Sequence, residues 1–243
     1  MHTVDRTSKL PLYLQVYQIL REEIRHGTWK PGEIIPPEPS LITSFGVSRT
    51  IIRQALDRLA GEGMIYRQQG RGTFVSHPPL EKEMSGIVSF TEDMKRRGFF
   101  PLTRVLLTQI LPASSRMNKE LSVPPGEPLV RMKRLRLADG EPMSIEDSYL
   151  VEKMCPHILE EDFTRLSLRE TLKNRYHVFL TRAHQRIRAV AAGEETASLL
   201  SVRTLSPLLK VERVSYSREN IPVEFLTIVY RGDRYTLYHE LRG

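Results

Sequence analysis

A short corner between two predicted helices, followed by a β-hairpin, restricts the fold of this sequence more than any other feature. A helix is predicted over about residues 38–45, and Gly46 and Val47 then form the corner. A longer helix follows, with Ser48 as its expected N-cap. Two β-prone runs, 64–67 and 73–75, come next and predict a hairpin.

The longer helix has one apolar face and one polar, basic face. The apolar stripe consists of Ile52, Ala55, Leu56 and Leu59, and the opposite face carries Arg49, Thr50, Arg53 and Asp57. Cationic and hydroxyl side chains near a helix N-terminus can reach base edges in the major groove of DNA. Taken alone, the pattern favours an ordinary amphipathic helix with a solvated basic face. The order of the elements, with a hairpin tip at Gly70-Arg71-Gly72 small enough for a groove, favours DNA binding.

The charge of the chain permits a polyanionic partner without establishing one. The formal net charge is +7, but residues 1–77 carry only ten Lys and Arg against seven Asp and Glu. No apolar run is long enough to span a membrane, so we expect no membrane partner. The lack of an apolar leader and the lone Cys155 together predict a cytoplasmic protein.

A charged, proline-bearing stretch after the hairpin predicts a domain boundary. We expect a DNA-binding domain over 1–77, a linker over 78–84 and a second domain over 85–243. In the second domain, Ser89-Phe90-Thr91-Glu92 has the form of a capping box and predicts a short helix. Strand-like runs follow at 102–111, 129–138, 143–150, 178–191, 208–217 and 223–230, with helices near 167–175 and 194–200. The predicted fold class is α+β, with a mainly antiparallel sheet in the second domain.

Residues 11–75 resemble the winged helix-turn-helix of the GntR family of bacterial regulators. The matching stretches are Pro36-Pro37-Glu38, Phe45-Gly46-Val47-Ser48-Arg49, Ile52-Arg53-Gln54-Ala55-Leu56, Leu59, Gly63 and Gly70-Arg71-Gly72-Thr73-Phe74-Val75. The resemblance implies that Ser48, Arg49, Thr50 and Arg53 contact the operator, with Gly70 and Arg71 at the wing tip in the minor groove. Pro39 stands where the family has an arginine, and Ile51 where it tends to have threonine, so the preferred operator should differ from that of relatives.

Residues 85–243 resemble the effector domain of the HutC subfamily, a UTRA-like domain whose fold is similar to chorismate lyase. The matching segments are Ser89–Met94, Arg134-Leu135-Arg136, Glu146, Ser167-Leu168 and Val229–Tyr235. The likeness extends to the branch that represses N-acetylglucosamine utilisation, where the effector is an amino-sugar 6-phosphate. It implies a repressor that responds to glucosamine-6-phosphate or N-acetylglucosamine-6-phosphate.

The residues themselves favour an anionic effector. Arg134 and Arg136 project from one face of a strand, as two phosphate-binding guanidiniums would. The N–H groups around Phe90 and Thr91 add a phosphate cradle, and Ser167 adds a hydroxyl. The remaining candidates, for sugar hydroxyls or an amine, are Glu146, Glu224 and Tyr230. The alternatives are another anionic metabolite, or a solvated strand face on which the glutamates only pair with surface arginines.

A catalytic function is the rival class. The sequence lacks the G-x-S-x-G, H-E-x-x-H, Walker and G-x-G-x-x-G motifs, and its histidines lack metal-ligand spacing. We therefore expect neither an enzyme nor a metal or cofactor, although the chorismate-lyase-like fold keeps that activity as an alternative. RNA binding is disfavoured by the absence of an RRM-type aromatic pattern. Because one recognition helix reads only a few base pairs, we expect a homodimer on a near-palindromic operator.

Overall fold

The computed structural model describes residues 4–68, 70–83 and 86–240. Gln69 in the predicted hairpin turn, and residues 84 and 85 at the predicted linker end, lie outside the described residues. The chain divides into two compact units, and the main boundary falls between Leu80 and Glu81.

The N-terminal unit consists of three helices followed by a two-stranded sheet. They are α1 (Leu12–Arg25), α2 (Glu38–Phe45), α3 (Arg49–Gly61), β1 (Ile65–Gln68) and β2 (Gly72–Val75). The predicted apolar stripe of α3 is buried, with Ile52 and Leu59 fully enclosed, and it packs with Val16 and Leu20 of α1 in one core. Burial of this stripe fixes the orientation of α3, because its opposite face must then point to solvent.

The corner between α2 and α3 depends on Gly46. Its φ of +63° lies in the left-handed region, and its N–H donates to the Ile42 carbonyl, which ends α2. Ser48 occupies the N-cap position of α3 with extended backbone. The predicted N-cap position is therefore confirmed, although the Ser48 hydroxyl accepts no capping hydrogen bond.

The hairpin after α3 is antiparallel, with Ile65 opposite Val75. Ile34 forms an isolated antiparallel β-bridge with Phe74, which adds a third backbone segment to this small sheet. At Gly72 the φ is +126°, and a Cβ there would lie 2.7 Å from Ile34 Cδ1. Glycine at 72 therefore satisfies both a backbone and a packing requirement next to the tip of the wing.

The C-terminal unit is built on one six-stranded antiparallel sheet. Its elements are β3 (Leu80–Glu83), α4 (Phe90–Arg96), β4 (Pro101–Pro112), α5 (Ser115–Leu121), β5 (Pro128–Ala138), β6 (Glu141–Val151), α6 (Leu168–Arg175), β7 (Arg182–Ala191), α7 (Glu194–Leu200), β8 (Pro207–Tyr216), β9 (Pro222–Arg231) and β10 (Tyr235–Tyr238). The strand order in the large sheet is β4-β5-β6-β9-β8-β7, and β3 pairs with β10 in a separate two-stranded sheet. The α+β class and the mainly antiparallel sheet are confirmed.

Side chains from alternate strand positions pack on opposite faces of the sheet. On one face, Met132 and Leu150 lie in a cluster with Leu168 and Leu172 of α6. On the other face, Leu129 and Phe225 lie in a cluster with Met117 and Leu121 of α5. The sheet is therefore covered on both sides.

Three elements of this unit were not predicted from the sequence, and one strand is shorter than expected. The additional elements are β3, α5 and β10. The strand β3 lies inside the stretch 78–84 that was expected to be a linker, and it pairs with β10 about 150 residues later, so no local turn signals it. Strand β7 begins at Arg182, not at Val178, because Val178 and Leu180 pack in the α6 cluster instead of pairing.

Candidate functional site

The predicted DNA-contacting residues share one exposed surface on α3. Ser48, Arg49 and Thr50 lie at its first turn, and Arg53 follows one turn later; all four are exposed. The Arg49 side chain is 68% exposed, and its Nε lies 3.8 Å from Glu38 Oε2, an ion pair that water screens. The arginine fork therefore remains available to a partner at the start of the helix.

Asp57, on the same face of α3, has a different role from its neighbours. Its Oδ1 lies 2.8 Å from Arg67 Nη1 in β1, so it links the helix to the wing. At the wing tip, Gly70 has a φ of +74°, and the exposed Arg71 guanidinium lies 6.0 Å from the Phe74 ring centroid. The structure thus places the two predicted wing residues at an exposed tip.

A partly open cavity lies in the C-terminal unit, between the sheet and the segments around α4 and α6. Small molecules bind in concave sites where a few polar side chains converge. Its lining includes seven of the eight residues predicted for effector binding, namely Phe90, Arg134, Arg136, Glu146, Ser167, Glu224 and Tyr230. Thr91 is not part of the lining; its Oγ1 accepts a hydrogen bond from Arg136 Nη2 at 3.0 Å.

The arginine pair is buried, so its interpretation as a solvated strand face is wrong. Arg134 and Arg136 side chains are 5% and 3% exposed. Arg134 Nη2 donates to Glu146 Oε2 at 2.8 Å, and Arg136 Nε lies 3.8 Å from the same oxygen. Burial alone would raise the pKa of Glu146, but Arg136 and Arg134 together hold it below its usual value. The carboxylate is therefore charged and paired inside the cavity wall.

Arg136 also fixes the segment at the start of α4. Its Nη1 donates to Thr103 Oγ1 at 2.8 Å, and its guanidinium lies 4.6 Å from the Phe90 ring centroid. The predicted capping box is present in part, since Ser89 Oγ accepts from the Glu92 N–H at 3.2 Å. Arg136 was expected to be a free phosphate ligand, but it already holds Thr91, Phe90 and Thr103 in place.

Among the other predicted residues of the lining, Ser167, Glu224 and Tyr230 are also buried. Glu224 accepts from Ser215 Oγ at 3.4 Å, and its burial raises the pKa of the carboxyl despite the nearby Arg134. Ser167 caps α6 by accepting from the Glu170 N–H at 3.4 Å, which leaves its hydroxyl hydrogen for another acceptor. Tyr230 packs against Tyr235 with ring centroids 4.4 Å apart.

Three cationic lining residues were missed in the sequence. Lys82 of β3 lies with Nζ 5.2 Å from the Tyr230 ring centroid, while Arg169 of α6 and Arg213 of β8 line the cavity from other elements. None belongs to a motif. The only signal in the sequence was the alternation of side chains along β8. In the structure, Arg213 pairs with Leu226 of β9 and lies on the cavity side of the sheet.

Two classes of site do not occur in the described part of the chain. No group of three or more His, Cys, Asp or Glu residues there could hold a metal ion. The helices of residues 4–68, 70–83 and 86–240 include none that is long and apolar enough to cross a membrane.

Two family models match the chain, one in each half. Residues 12–75 match the bacterial regulatory proteins of the gntR family, and residues 96–236 match the UTRA domain. The two matches cover the helix-turn-helix with its wing and the sheet domain that contains the cavity.

Relatives match the chain over nearly its whole length. The HTH-type transcriptional repressor NagR of Bacillus subtilis is 34% identical over 97% of both chains. The histidine utilization repressor of Klebsiella aerogenes is 30% identical over 96% of this chain and 95% of its own. The crystal structure of PhnF from Mycobacterium smegmatis superposes with a TM-score of 0.66 at 26% identity, covering 94% of this chain and 99% of that one.

Proposed function

This chain belongs to the GntR family of bacterial regulatory proteins and carries a UTRA domain, and we propose the following mechanism for its repression of transcription. The family places it among effector-responsive transcriptional repressors. The effector is a phosphorylated amino sugar, glucosamine-6-phosphate or N-acetylglucosamine-6-phosphate, which binds the cavity and changes operator affinity. The similarity to NagR supports this choice.

The observation that carries the proposal is the convergence of Arg134, Arg136 and Ser167 on one partly open cavity. Both arginines keep a buried Nε–H without a hydrogen-bond partner in the described structure, as expected where an anion completes the site. The phosphate is assigned to this region, beside the backbone around Phe90 and Thr91. Glu146, Glu224 and Tyr230 are assigned to the sugar hydroxyls and the amine.

The N-terminal unit is proposed to read the operator in two grooves. Arg49 and Arg53 contact base edges in the major groove, with Ser48 and Thr50 on adjacent base edges or phosphates. The wing tip at Gly70 and Arg71 enters the minor groove. Because operator DNA lies in the bacterial cytoplasm, the protein is placed there. A catalytic role is not proposed, since a fold similar to an enzyme does not carry its activity.

The operator-bound form is proposed to be a homodimer, whose contact lies in the C-terminal sheet domain. The recognition surface of the N-terminal unit is small, and two copies are needed to specify a site in a genome. Light scattering of the full-length chain at micromolar concentration is expected to give twice the 28.1 kDa chain mass. A titration should show two chains per near-palindromic operator. A monomer that binds a single half-site with full affinity would contradict the proposal.

Isothermal titration calorimetry is the direct test of the effector. The full-length protein is expected to bind glucosamine-6-phosphate or N-acetylglucosamine-6-phosphate at least tenfold more tightly than the same sugar without phosphate. The reason is that hydrogen bonds to a charged group contribute about 1.5–3 kcal/mol each. The ligand that binds should also change operator affinity, because an effector acts through its differential affinity for two states.

The matched sugars without phosphate are the controls for this titration. Equal affinity for a sugar phosphate and for the same sugar without phosphate would show that the protein does not recognise the phosphate group. If no sugar phosphate binds, the effector is another acidic metabolite.

A further inference from the structure

The cavity in the C-terminal unit carries more positive charge than one phosphate neutralises. Its lining contains five cationic side chains, Lys82, Arg134, Arg136, Arg169 and Arg213, and two carboxylates, Glu146 and Glu224. The lining therefore has a formal charge of +3. A phosphate monoester carries a charge of about −2 at neutral pH, so roughly one positive charge remains after it binds.

The five cations differ in their protein partners. Arg134 and Arg136 lie within ion-pair distance of Glu146. Arg169 donates only a long hydrogen bond, 3.4 Å, to the Leu180 carbonyl, and its Nη1 is buried without a partner. Arg213 contacts the neutral amide of Gln185, with Nη2 3.1 Å from Oε1. Among the described residues, Arg169 and Arg213 thus have no carboxylate within ion-pair distance.

This arrangement is costly for the protein alone. Burial lowers the pKa of Arg169 even though the Glu92 and Glu224 carboxylates oppose the change, and the like charge of Arg213 adds to the lowering. A buried N–H without an acceptor adds the cost of its lost hydration. An anion near Arg169 and Arg213 would relieve both effects. Because Arg169 lies on α6 and Arg213 on β8, such a group would be held from two independent elements.

We propose that the effector has a second anionic group, a carboxylate, bound by Arg169 and Arg213 in the same cavity as the phosphate. This inference rests on the proposed function, because it assumes that a phosphorylated amino sugar occupies the cavity. It replaces the two simple amino-sugar phosphates named above as the effector with an amino-sugar phosphate that carries an acidic substituent. Simple amino-sugar phosphates would bind the same cavity more weakly.

The test compares two ligands that differ by one acidic substituent. Calorimetry on the full-length protein is performed with N-acetylglucosamine-6-phosphate and with N-acetylmuramic acid 6-phosphate, which adds a lactyl carboxylate to the same sugar phosphate. A charge-assisted contact of about 1.5–3 kcal/mol corresponds to a 10- to 150-fold tighter binding of the carboxylate ligand. We expect a preference in that range.

Two conservative variants locate the preference. Arg169→Gln and Arg213→Gln keep a polar side chain, shorter than that of arginine, and remove the charge. Each should reduce the ratio between the affinities for the carboxylate ligand and for N-acetylglucosamine-6-phosphate to near one. Arg186→Gln, at an exposed arginine of β7, is the matched charge control and should leave the preference intact. Thermal midpoints of all the variants identify any that fail to fold.

The outcomes separate this inference from the proposed function. Equal affinity of the wild-type protein for the two ligands, or a preference that survives in both glutamine variants, overturns the second anionic position and leaves the phosphate effector standing. If neither ligand nor any other sugar phosphate binds, the proposed function fails and this inference fails with it.

Discussion

Alanine at both Arg49 and Arg53 is expected to lower operator affinity by roughly two to four orders of magnitude. Each bidentate arginine–guanine contact contributes about 1–3 kcal/mol of discrimination, and the two residues lie one turn apart on the exposed face of α3. Fluorescence anisotropy with a labelled operator at fixed salt measures the loss. Salt must be held constant, because phosphate contacts make affinity depend steeply on ionic strength.

The pattern of the loss distinguishes base recognition from simple charge removal. Arg25→Ala removes an exposed cation from the end of α1 and serves as the control, with an expected loss below threefold. The α3 variants should also discriminate less between the operator and a scrambled duplex. Undiminished affinity in both single variants, Arg49→Ala and Arg53→Ala, would show that α3 is not the recognition helix.

The double variant Arg134→Met/Arg136→Met is expected to destabilise the protein by about 3–5 kcal/mol. Methionine preserves much of the side-chain volume, but it leaves the Glu146 carboxylate buried without an opposite charge, and breaking a buried ion pair costs about that much. If Arg134 and Arg136 only bound the effector, the double variant would lose the effector response and keep its basal operator binding. Because both arginines also pair with Glu146, we expect a loss of stability in addition.

Urea denaturation followed by circular dichroism measures this loss. Adding Glu146→Gln to the double variant removes the uncompensated charge and should restore a large part of the stability. The control is Arg131→Met, whose partner Asp147 lies on the other face of the sheet in a more exposed pair, with an expected loss of about 1 kcal/mol or less. If the double variant unfolds at the wild-type urea concentration, the pairs do not support the fold.

Local patterns in the sequence were sufficient to predict the helices that carry the proposed DNA-binding surface. The bounds of α2 agree with the prediction, and the apolar stripe of α3 is buried as its spacing indicates, because both depend on residues within one or two turns. The Asp-Gly pair at 139 and 140 is likewise a local hairpin signal in the sequence, and both residues have positive φ, as a tight hairpin requires. Such features need no knowledge of distant contacts.

The cavity depends on contacts that no local pattern records. Residues from β3, α6 and β8 meet there, and Lys82 and Arg213 are more than 100 residues apart in the chain. The alternation of Arg134 and Arg136 correctly predicted a shared face, yet the ion pairs with Glu146 follow from the register of β5 against β6. Strand pairing of this kind is set by the whole sheet. The sequence alone therefore could not reveal which arginines have a buried N–H group without a hydrogen-bond partner.

The connector between the two units contains very few residues outside regular secondary structure. Ser76 still donates its N–H to the Met64 carbonyl, and β3 begins at Leu80, so only three residues lie between them, including Pro78 and Pro79. Each proline ring fixes its own φ and restricts the residue before it. Ordering a freely rotating residue costs about 1–2 kcal/mol of conformational entropy, most of which this link has already lost before DNA arrives. Glycine at both proline positions would restore conformational freedom to the unfolded chain, and we expect it to lower the free energy of unfolding.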